Sequence, residues 1–256
     1  MAHKTKIGST TYEIKGGKCN VGGTAYSIKN GKTKVGGTAY TIDFVSGALG
    51  EIPVGTIVYL NENGSSVPFY VAKHNYESGL NGSGRTLLVR KAISQLGAWN
   101  SAAYNTYASG TMDTWFNSTY KPKLDSAVQT AMSTTTFYYT VGNKNATKTT
   151  LSRSVFALSM TELGGTFTNS TNVEGSTLSI ASTLRFATND SGTASRQWTR
   201  TPMTSEGVNT VHVVSIYDTG ETKSDMAKNT NSGYRPCFTL PATAIFDPAT
   251  KKFVSA

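Results

Sequence analysis

The chain has 256 residues, of which 38% are hydrophobic, with 13 Tyr and 10 Phe. This composition is enough for one packed domain of ordinary size and a smaller module. The 24 basic and 15 acidic residues give a net charge of +9, which is not the concentrated charge of a dedicated nucleic-acid binder, so nucleic acid is not expected as a partner. No run approaches the ~18 apolar residues of a membrane span, and the N-terminus has no apolar signal core. We therefore expect a chain made in the cytosol that does not insert into a membrane.

Cysteine is too rare to build a disulfide framework. Only Cys19 and Cys237 occur, and together with three His they lack the spacing of a zinc site. Both are expected to be small buried side chains, and no metal or cofactor is expected.

One 14-residue unit is written three times at the start of the chain. The copies begin at Thr5, Cys19 and Thr33 and follow one another without an insertion. Gly22-Gly23 and Asn30-Gly31 are pairs able to take the positive φ of two-residue hairpin loops, and each lies between runs rich in Val, Thr, Tyr and Ile. The repeat therefore predicts a β-meander of about six short strands over residues 1–44.

The expected register divides the meander into two faces. The two loops would pair Val21 with Thr24, Cys19 with Tyr26 and Ile28 with Thr33. The half-apolar face would then carry Val21, Tyr26, Ile28, Val35, Tyr40 and Ile42. A sheet this small with one apolar side does not stand alone, so this face is predicted to be an assembly face that packs on the rest of the chain or on other copies.

The opposite face of the meander would be rich in lysine. Its members are Lys4, Lys6, Lys15, Lys18, Lys29, Lys32 and Lys34. Such a face either binds phosphate-rich polymers or is a solvated face that keeps strand edges from pairing. We favour the solvated face, because no aromatic side chains interleave with these lysines as single-strand binding requires.

After a junction at residues 44–50 the 14-residue period stops and a second domain, residues 45–256, is expected. Its first half predicts strands at 56–60, 67–72 and 85–90, with a Gly/Asn-rich loop at 74–84. Two helices should follow. The first carries Met112, Trp115 and Phe116, of which Trp115 and Phe116 are expected in the core and not in a binding site. The second has Pro122 in its first turn and Leu124, Val128 and Ala131 at helical spacing.

The second half of this domain returns to strands. A buried strand is predicted at 155–159, a long surface loop at 165–183, and further strands at 197–200, 210–216 and 234–240. Two helices lie between strands instead of alternating with them, which indicates a β-rich α+β fold.

Five segments, taken in order, carry a resemblance. They are Tyr107-x-x-Ser109 through Trp115-Phe-Asn117, Val155-Phe-Ala-Leu-Ser-x-x-Glu162, Gln197-Trp-Thr-Arg-Thr-Pro202, Val211 to Gly220, and Gly233-Tyr-Arg-Pro236 with Phe238 and Leu240. Over residues 50–245 they resemble a bacterial and phage domain family of unassigned function. That family is similar to the C-type-lectin-like fold of formylglycine-generating enzymes and of the variable proteins of diversity-generating retroelements. The N-terminal repeats resemble hairpin repeats at the start of phage structural proteins.

The resemblance implies a C-type-lectin-like domain in which Trp198, Arg200, Pro202, Arg235 and Pro236 are structural. An arginine beside Trp or Pro in a strand more often stacks and binds buried carbonyls than it binds a ligand. Thr199 and Thr201 stand where the family commonly has Leu and Ser.

Catalytic groups are few, and we expect no enzymatic activity. The formylglycine-generating reaction needs a pair of reactive cysteines, and Cys237 is alone in its domain. His74 and His212 lie in no nucleophile motif. Paired carboxylates for glycoside hydrolysis stay open as an alternative that the spacing does not favour. The candidates are Glu162, Glu174, Asp190, Glu206, Asp218 and Asp225.

A binding surface is predicted from two polar stretches, residues 203–209 and 217–233, which are carried on apolar strands. In the retroelement proteins that the fold resembles, the corresponding surface contacts the target, and its Asn, Ser, Tyr and Gly content is typical of a paratope. The predicted ligand-binding residues are Glu206, Asn209, His212, Tyr217, Asp218, Asn229 and Asn231. Calcium ligands would have to come from Asp225, Asn229 and Asn231, which are sparse.

Together these features predict a phage virion protein of the tail-fibre or head-fibre type, located on the virion surface. Its N-terminal repeats would attach to other virion proteins, and its C-type-lectin-like domain would adhere to a glycan or protein of the host surface. Fibre-like virion modules are often trimers, so a homo-oligomer is expected. The alternative is a purely structural capsid decoration, tail or baseplate component without receptor binding.

Overall fold

A computed structural model describes residues 47–102, 104–168, 172–204 and 211–256, together with the backbone of six strands within residues 3–42. The chain divides into two compact units, Met1–Ser46 and Gly47–Ala256.

The first unit contains three antiparallel hairpins, one in each repeat. Its strands are β1 His3–Ile7, β2 Thr10–Ile14, β3 Lys18–Val21, β4 Thr24–Ser27, β5 Gly31–Val35 and β6 Thr38–Ile42. In the second hairpin Cys19 pairs with Tyr26 and Val21 with Thr24, which is the register that a two-residue loop at positions 22–23 requires.

The prediction of one continuous six-stranded meander is wrong for the described strands. These form three separate two-stranded sheets. Gly31 belongs to β5 and pairs with Ile42, so it is not the loop residue that the prediction made it, and Thr33 pairs with Tyr40. Two residues separate the strands within a repeat and three separate successive repeats, so the shorter connection closes the hairpin. Ile28 lies outside the described residues, as do the side chains of the other assembly-face residues, Val21, Tyr26, Val35, Tyr40 and Ile42.

The second unit is β-rich with short helices, which confirms the expected β-rich α+β class. Its strands are β7 Ile57–Glu62, β8 Ser65–His74, β9 Arg85–Arg90, β10 Gln95–Leu96, β11 Thr135–Gly142, β12 Asn145–Arg153, β13 Ala187–Thr188, β14 Ala194–Ser195, β15 Gln197–Pro202, β16 His212–Ile216, β17 Thr222–Met226, β18 Gly233–Tyr234, β19 Cys237–Pro241, β20 Ile245–Phe246 and β21 Phe253–Ser255. Its α-helices are α1 Ser78–Asn81, α2 Thr111–Trp115, α3 Ser126–Ala131 and α4 Ala181–Arg185. Three further turns are helical: the 3-10 turns Leu49–Glu51 and Lys121–Lys123 and the π-helical turn Phe116–Tyr120.

This unit contains a four-stranded antiparallel sheet in the order β19-β9-β8-β7. Asn63 and Gly64 close the β7–β8 hairpin with φ of 51° and 77°, and Glu62 pairs with Ser65 across them. A two-residue turn whose twist matches that of the flanking strands requires positive φ at both loop residues.

The second unit also contains a five-stranded mixed sheet in the order β10-β18-β15-β16-β17. β15 is antiparallel to β16 and parallel to β18. All six residues of β15 are buried, so this strand carries its side chains into the protein on both faces.

Aromatic rings fill the space between these elements. Phe137 stacks on Phe156 with centroids 4.4 Å apart, and Phe69 meets Phe238 edge-on at 5.5 Å. Offset and edge-on geometries are the favoured arrangements of aromatic pairs. Cys237 is a free, buried thiol as expected, and the side chain of Cys19 lies outside the described residues.

Two sequence predictions in this unit are wrong. Residues 155–159 are not a strand: Phe156 makes a single bridge to Cys237, and the rest of this apolar run packs as irregular buried chain. Pro122 lies in the 3-10 turn that precedes α3, and Leu124 is extended because it bridges to Glu62. The long hairpin β11–β12 has no counterpart among the predicted elements.

We predict that Gly142→Ala is far more destabilising than Gly64→Ala. Both glycines have positive φ, +80° and +77°, but a Cβ at Gly142 would lie 1.9 Å from the Asn105 carbonyl oxygen, whereas nothing lies within 4 Å at Gly64. The backbone term alone costs about 1 kcal/mol, and the clash adds about 1–3 kcal/mol. Urea unfolding of both variants measures the difference, and equal losses would contradict the close approach.

Candidate functional site

The centre of the second unit is a buried ion pair between Arg200 and Glu162. β15 places Arg200, and the turn after residue 159 places Glu162. Arg200 Nη1 lies 2.7 Å from Glu162 Oε2, and both side chains are 0% exposed. A buried charge is tolerated only when it is paired and its remaining hydrogen-bonding groups are satisfied.

Both charges meet that condition. Glu162 Oε2 also accepts from the Ser159 backbone N–H at 2.8 Å, and Oε1 accepts from the Tyr76 hydroxyl at 2.5 Å. Burial, followed by the neighbouring Glu162 carboxylate, holds the pKa of Tyr76 well above its ordinary value, so this hydroxyl stays protonated and donates.

The remaining Arg200 N–H groups donate to backbone carbonyls. Nε donates to Tyr138 O and Nη1 to Ala157 O, both at 2.9 Å. The guanidinium carbon also lies 4.8 Å from the centroid of the Phe137 ring, a cation–π distance. The expectation that Arg200 is structural and binds buried carbonyls is confirmed.

Glu174 is the second wholly buried carboxyl group of this centre. Its Oε1 accepts from the Thr140 backbone N–H at 2.6 Å and its Oε2 from the Thr201 hydroxyl at 2.5 Å. Burial raises the pKa of the Glu174 carboxyl above its ordinary value. Residue 174 lies within the predicted surface loop 165–183, so that part of the prediction is wrong.

A second buried network surrounds Arg90 and Arg235. Arg90 contacts Glu62 at 3.0 Å and the partly exposed Asp190 at 2.9 Å. Arg235 Nε and Nη2 donate at 2.8 Å to the carbonyls of Arg90 and Lys91. Burial lowers the pKa of the Arg235 guanidinium to about 10. Arg235 therefore crosslinks chain segments through carbonyls, which confirms its structural role.

The candidate carboxylates for glycoside hydrolysis do not converge on an open cleft. Glu162 and Glu174 lie close together, but both are 0% exposed. Asp190 is bound to Arg90. Asp218 is exposed in a turn, Asp225 is buried on β17, and Glu206 lies outside the described residues.

The predicted ligand-binding residues fall at two ends of the β16–β17 hairpin. Tyr217 and Asp218 form the turn that joins the two strands. His212 begins β16, opposite Met226, at the other end of the hairpin. Four residue steps along a strand separate these ends by roughly 13 Å. The structure therefore does not bring the predicted set together.

The remaining members of that set lie near the His212 end or outside the described residues. Asn229 and Asn231 follow β17, and the Asn229 amide donates to Asp225. The Nδ1 atom of His212 is buried without a hydrogen-bond partner among the described residues. Tyr217, at the other end, stacks against the guanidinium of Arg196 at 3.8 Å. Glu206 and Asn209 lie outside the described residues.

An open groove of about 480 Å³ lies beside the loop that carries Asn229 and Asn231. Its lining consists of Asn100, Ser101, Ser109, Thr111, Thr114, Trp115, Ser118 and Thr119. We call this surface the hydroxyl groove. The backbone N–H of Asn100 donates to Ala227 O at 2.9 Å, and Gly97 N donates to Ser232 O at 3.2 Å, so the wall of the groove is hydrogen-bonded to that loop.

Two further hydrogen bonds assemble the hydroxyl groove. Met112 N donates to Trp99 O at 3.1 Å, and Ser101 N donates to Thr111 Oγ1 at 2.9 Å. They join the 97–102 segment to α2. None of the eight lining side chains, all of which belong to the described residues, is titratable. The groove can therefore exchange hydrogen bonds and apolar contacts, but it offers no lining acid or base for proton transfer.

The sequence patterns did not predict the hydroxyl groove. Trp115 was expected in the core, and it does pack against the core, but it is only half-buried and also lines the groove. Ser, Thr and Asn are ordinary surface residues, and no spacing rule distinguishes these from the many others in the chain. The available signal was the density of Ser, Thr and Asn around Trp115 between residues 100 and 119.

A family model described as "Domain of unknown function (DUF6273)" matches residues 83–242. The searches of curated proteins and of solved structures found no match. The matched segment contains the hydroxyl groove and the Arg200–Glu162 pair. Within the described residues, no helix is long and apolar enough to cross a membrane, and no group of three or more His, Cys, Asp or Glu could hold a metal ion.

We expect Arg200→Met to destabilise the domain by about 3–5 kcal/mol, because it leaves the Glu162 carboxylate buried without a cation. The double variant Arg200→Met, Glu162→Leu should recover part of that loss, since it removes both charges. Chemical unfolding of the single and double variants measures this coupling. A double variant less stable than Arg200→Met would contradict the role of the uncompensated charge.

Glu174→Gln should change how stability depends on pH. Because burial raises the pKa of Glu174 above its ordinary value of 4.5, the folded chain retains a proton that the unfolded chain has lost. Stability then falls as pH rises from 4.5 through the folded pKa. Glutamine is neutral throughout, so the stability of the variant relative to wild type should rise over that window.

Unfolding free energies measured from about pH 4 to about pH 8 test this expectation. Glu221→Gln, at an exposed carboxylate, controls for the loss of one charge. If the difference in unfolding free energy between Glu174→Gln and wild type stays constant with pH, Glu174 has the same pKa in the folded and the unfolded chain, which would contradict the expectation.

Proposed function

Because the chain belongs to the family of domains of unknown function DUF6273, whose description assigns no activity, we propose its function from its own site. We propose that the second unit is a recognition domain of C-type-lectin-like fold, displayed on the surface of a phage particle for adhesion to the host. The observation that carries this proposal is the hydroxyl groove, an open concave surface lined by uncharged hydrogen-bonding groups.

Binding is a better account of this surface than catalysis. Acid–base or nucleophilic chemistry needs a titratable group within hydrogen-bonding reach of the reacting atom. The carboxylates Glu162 and Glu174 instead hold the protein together from wholly buried positions. The exposed groups of the groove are suited to hold a ligand and not to transform it, which supports a non-enzymatic role.

The scaffold beneath the hydroxyl groove is tied together by hydrogen bonds of two buried tryptophans. Trp99 is 1% exposed, and its indole N–H donates to Thr199 O at 2.7 Å. The Trp198 indole N–H donates to Gly97 O at 2.8 Å. These bonds tie the 97–102 segment to β15, the strand of the buried ion pair. Recognition surfaces are commonly built from loops on such a fixed scaffold.

The hairpins of the first unit are proposed as the attachment module. Isolated two-stranded hairpins are marginal in water, so three of them require a partner surface. Other virion proteins or further copies of this chain would supply it, and the resemblance of the repeats to those of phage structural proteins supports a virion partner. A homo-oligomer would also multiply weak contacts with the host surface.

The proposal predicts that particles lacking this protein adsorb to host cells at least about tenfold more slowly than wild-type particles. When the chain is produced without residues 1–46, the particles should contain none of it, because the attachment module is missing. Adsorption kinetics and particle immunoblots measure the two effects.

Normal adsorption by particles that lack the protein would favour capsid decoration or another structural role. A purified full chain that sediments as a free monomer and binds neither particles nor cells would contradict both the attachment and the adhesion roles.

A further inference from the structure

We propose that the hydroxyl groove binds a neutral saccharide, with Trp115 as its apolar wall. This inference rests on the proposed function and names the chemical class of the ligand. It is carried by the juxtaposition of one half-buried indole with six hydroxyl side chains and one amide.

The lining matches the chemistry of a sugar ring. Each sugar hydroxyl both donates and accepts hydrogen bonds, as do the hydroxyls of Ser and Thr, whereas an Asn amide presents a separate donor and acceptor. The C–H face of a pyranose is apolar and packs against an indole, which combines large apolar area with little conformational entropy. Threonine adds methyl groups beside its hydroxyls.

Several of these polar groups have free hydrogen-bonding capacity. The side-chain hydroxyls of Thr114 and Thr119 are exposed and have no partner among the described residues. Ser118 Oγ donates to Thr114 O at 2.6 Å, and its lone pairs still accept. Exposed groups of this kind exchange water for ligand at little cost, because they are solvated before binding.

The indole is held in one position before any ligand arrives. Its ring centroid lies 5.7 Å from Phe116, 5.6 Å from Tyr120 and 5.0 Å from Tyr234. Trp115 is also the last residue of α2 before the π-helical turn Phe116–Tyr120. Single π-turns are rare and recur at functional sites. A fixed aromatic wall binds without an ordering penalty.

The eight residues that line the hydroxyl groove include no arginine or lysine, so the lining itself favours a neutral ligand over an anionic one. Recognition of a carboxylate or phosphate normally uses arginine forks or lysine. The nearby Lys123 ammonium lies 5.1 Å from the Trp115 ring centroid in a cation–π contact. Asp113 of α2 is compensated by Arg153 at 2.9 Å and accepts from Ser109 N at 2.8 Å, so the helix presents no free charge to the groove.

The size of the hydroxyl groove fits a short oligosaccharide. Its volume of about 480 Å³ lies within the roughly 300–1,000 Å³ of small-molecule sites. Because the groove is open, a sugar unit within a longer chain can enter as well as a terminal one. A host-surface polymer presents many such units, so weak binding to each unit suffices when several copies of the domain bind together.

Tryptophan fluorescence provides a direct test, since the chain has 3 Trp. Trp99 and Trp198 are 1% and 2% exposed, which leaves Trp115 as the reporter. The full chain is titrated with maltotriose, cellotriose and chitotriose as neutral probes, and with sialyllactose as the acidic probe. We expect a saturable change with at least one neutral probe and weaker binding of the acidic probe.

The test variant is Thr119→Lys and its matched control is Thr130→Lys. Both threonines are exposed and lie in helical turns, but Thr130 belongs to α3 and is not part of the groove. Thr119→Lys should weaken saccharide binding at least about tenfold by filling the groove, while Thr130→Lys should leave it unchanged. Circular dichroism checks that both variants are folded.

The same variants separate this inference from the proposed function. If cells bind the wild-type chain but no neutral probe binds and Thr119→Lys adheres normally, the groove inference is wrong and adhesion stands. Tighter binding of sialyllactose, or adhesion abolished by protease treatment of the cells while no neutral probe binds, would overturn the neutral-saccharide class. If the chain binds a neutral probe but does not bind cells, the groove assignment holds and the proposal of host adhesion is wrong.

Discussion

The Arg200–Glu162 ion pair is the interaction on which the second unit depends. One guanidinium satisfies a carboxylate and carbonyls from three separate segments, at Tyr138, Ala157 and Glu174. Burying two charges costs several kcal/mol, which is recovered only when the geometry around them is complete. The pair therefore stabilises the fold strongly only in the one arrangement that β11, the 155–162 segment and β15 adopt together.

The strand β15 connects this buried centre to the hydroxyl groove. The strand that presents Arg200 also receives the Trp99 indole N–H at Thr199 and sends the Trp198 indole N–H to Gly97. The segment that forms the wall of the groove is therefore hydrogen-bonded to the same strand that carries the arginine of the ion pair. Charged side chains therefore hold the interior of the unit together, whereas the residues that line the groove are uncharged.

Local sequence patterns predicted several strands well. They did not predict features that depend on residues distant in sequence. The strand predicted at 85–90 is β9, Arg85–Arg90, and the strand predicted at 197–200 lies within β15, Gln197–Pro202. The β11–β12 hairpin was missed because β12 is almost wholly exposed and Thr-rich, so it lacks the apolar alternation that identifies a half-buried strand. Burial of Glu174 was unpredictable, since its partners Thr140 and Thr201 are distant in sequence. The hydroxyl groove was missed for a related reason, because segments around residues 100 and 115 form it jointly.

The start of the second unit is hydrogen-bonded to a segment near its end, and this has an evolutionary consequence. Phe246 N donates to Gly47 O and Leu49 N to Ala244 O, each at 2.7 Å, so the start of the unit and a segment close to its end lie side by side. A domain with adjacent ends can be spliced into a surface loop of an unrelated protein without stretching either partner. Genetic exchange could therefore move this domain between carrier proteins as one unit, with a different module in place of residues 1–46.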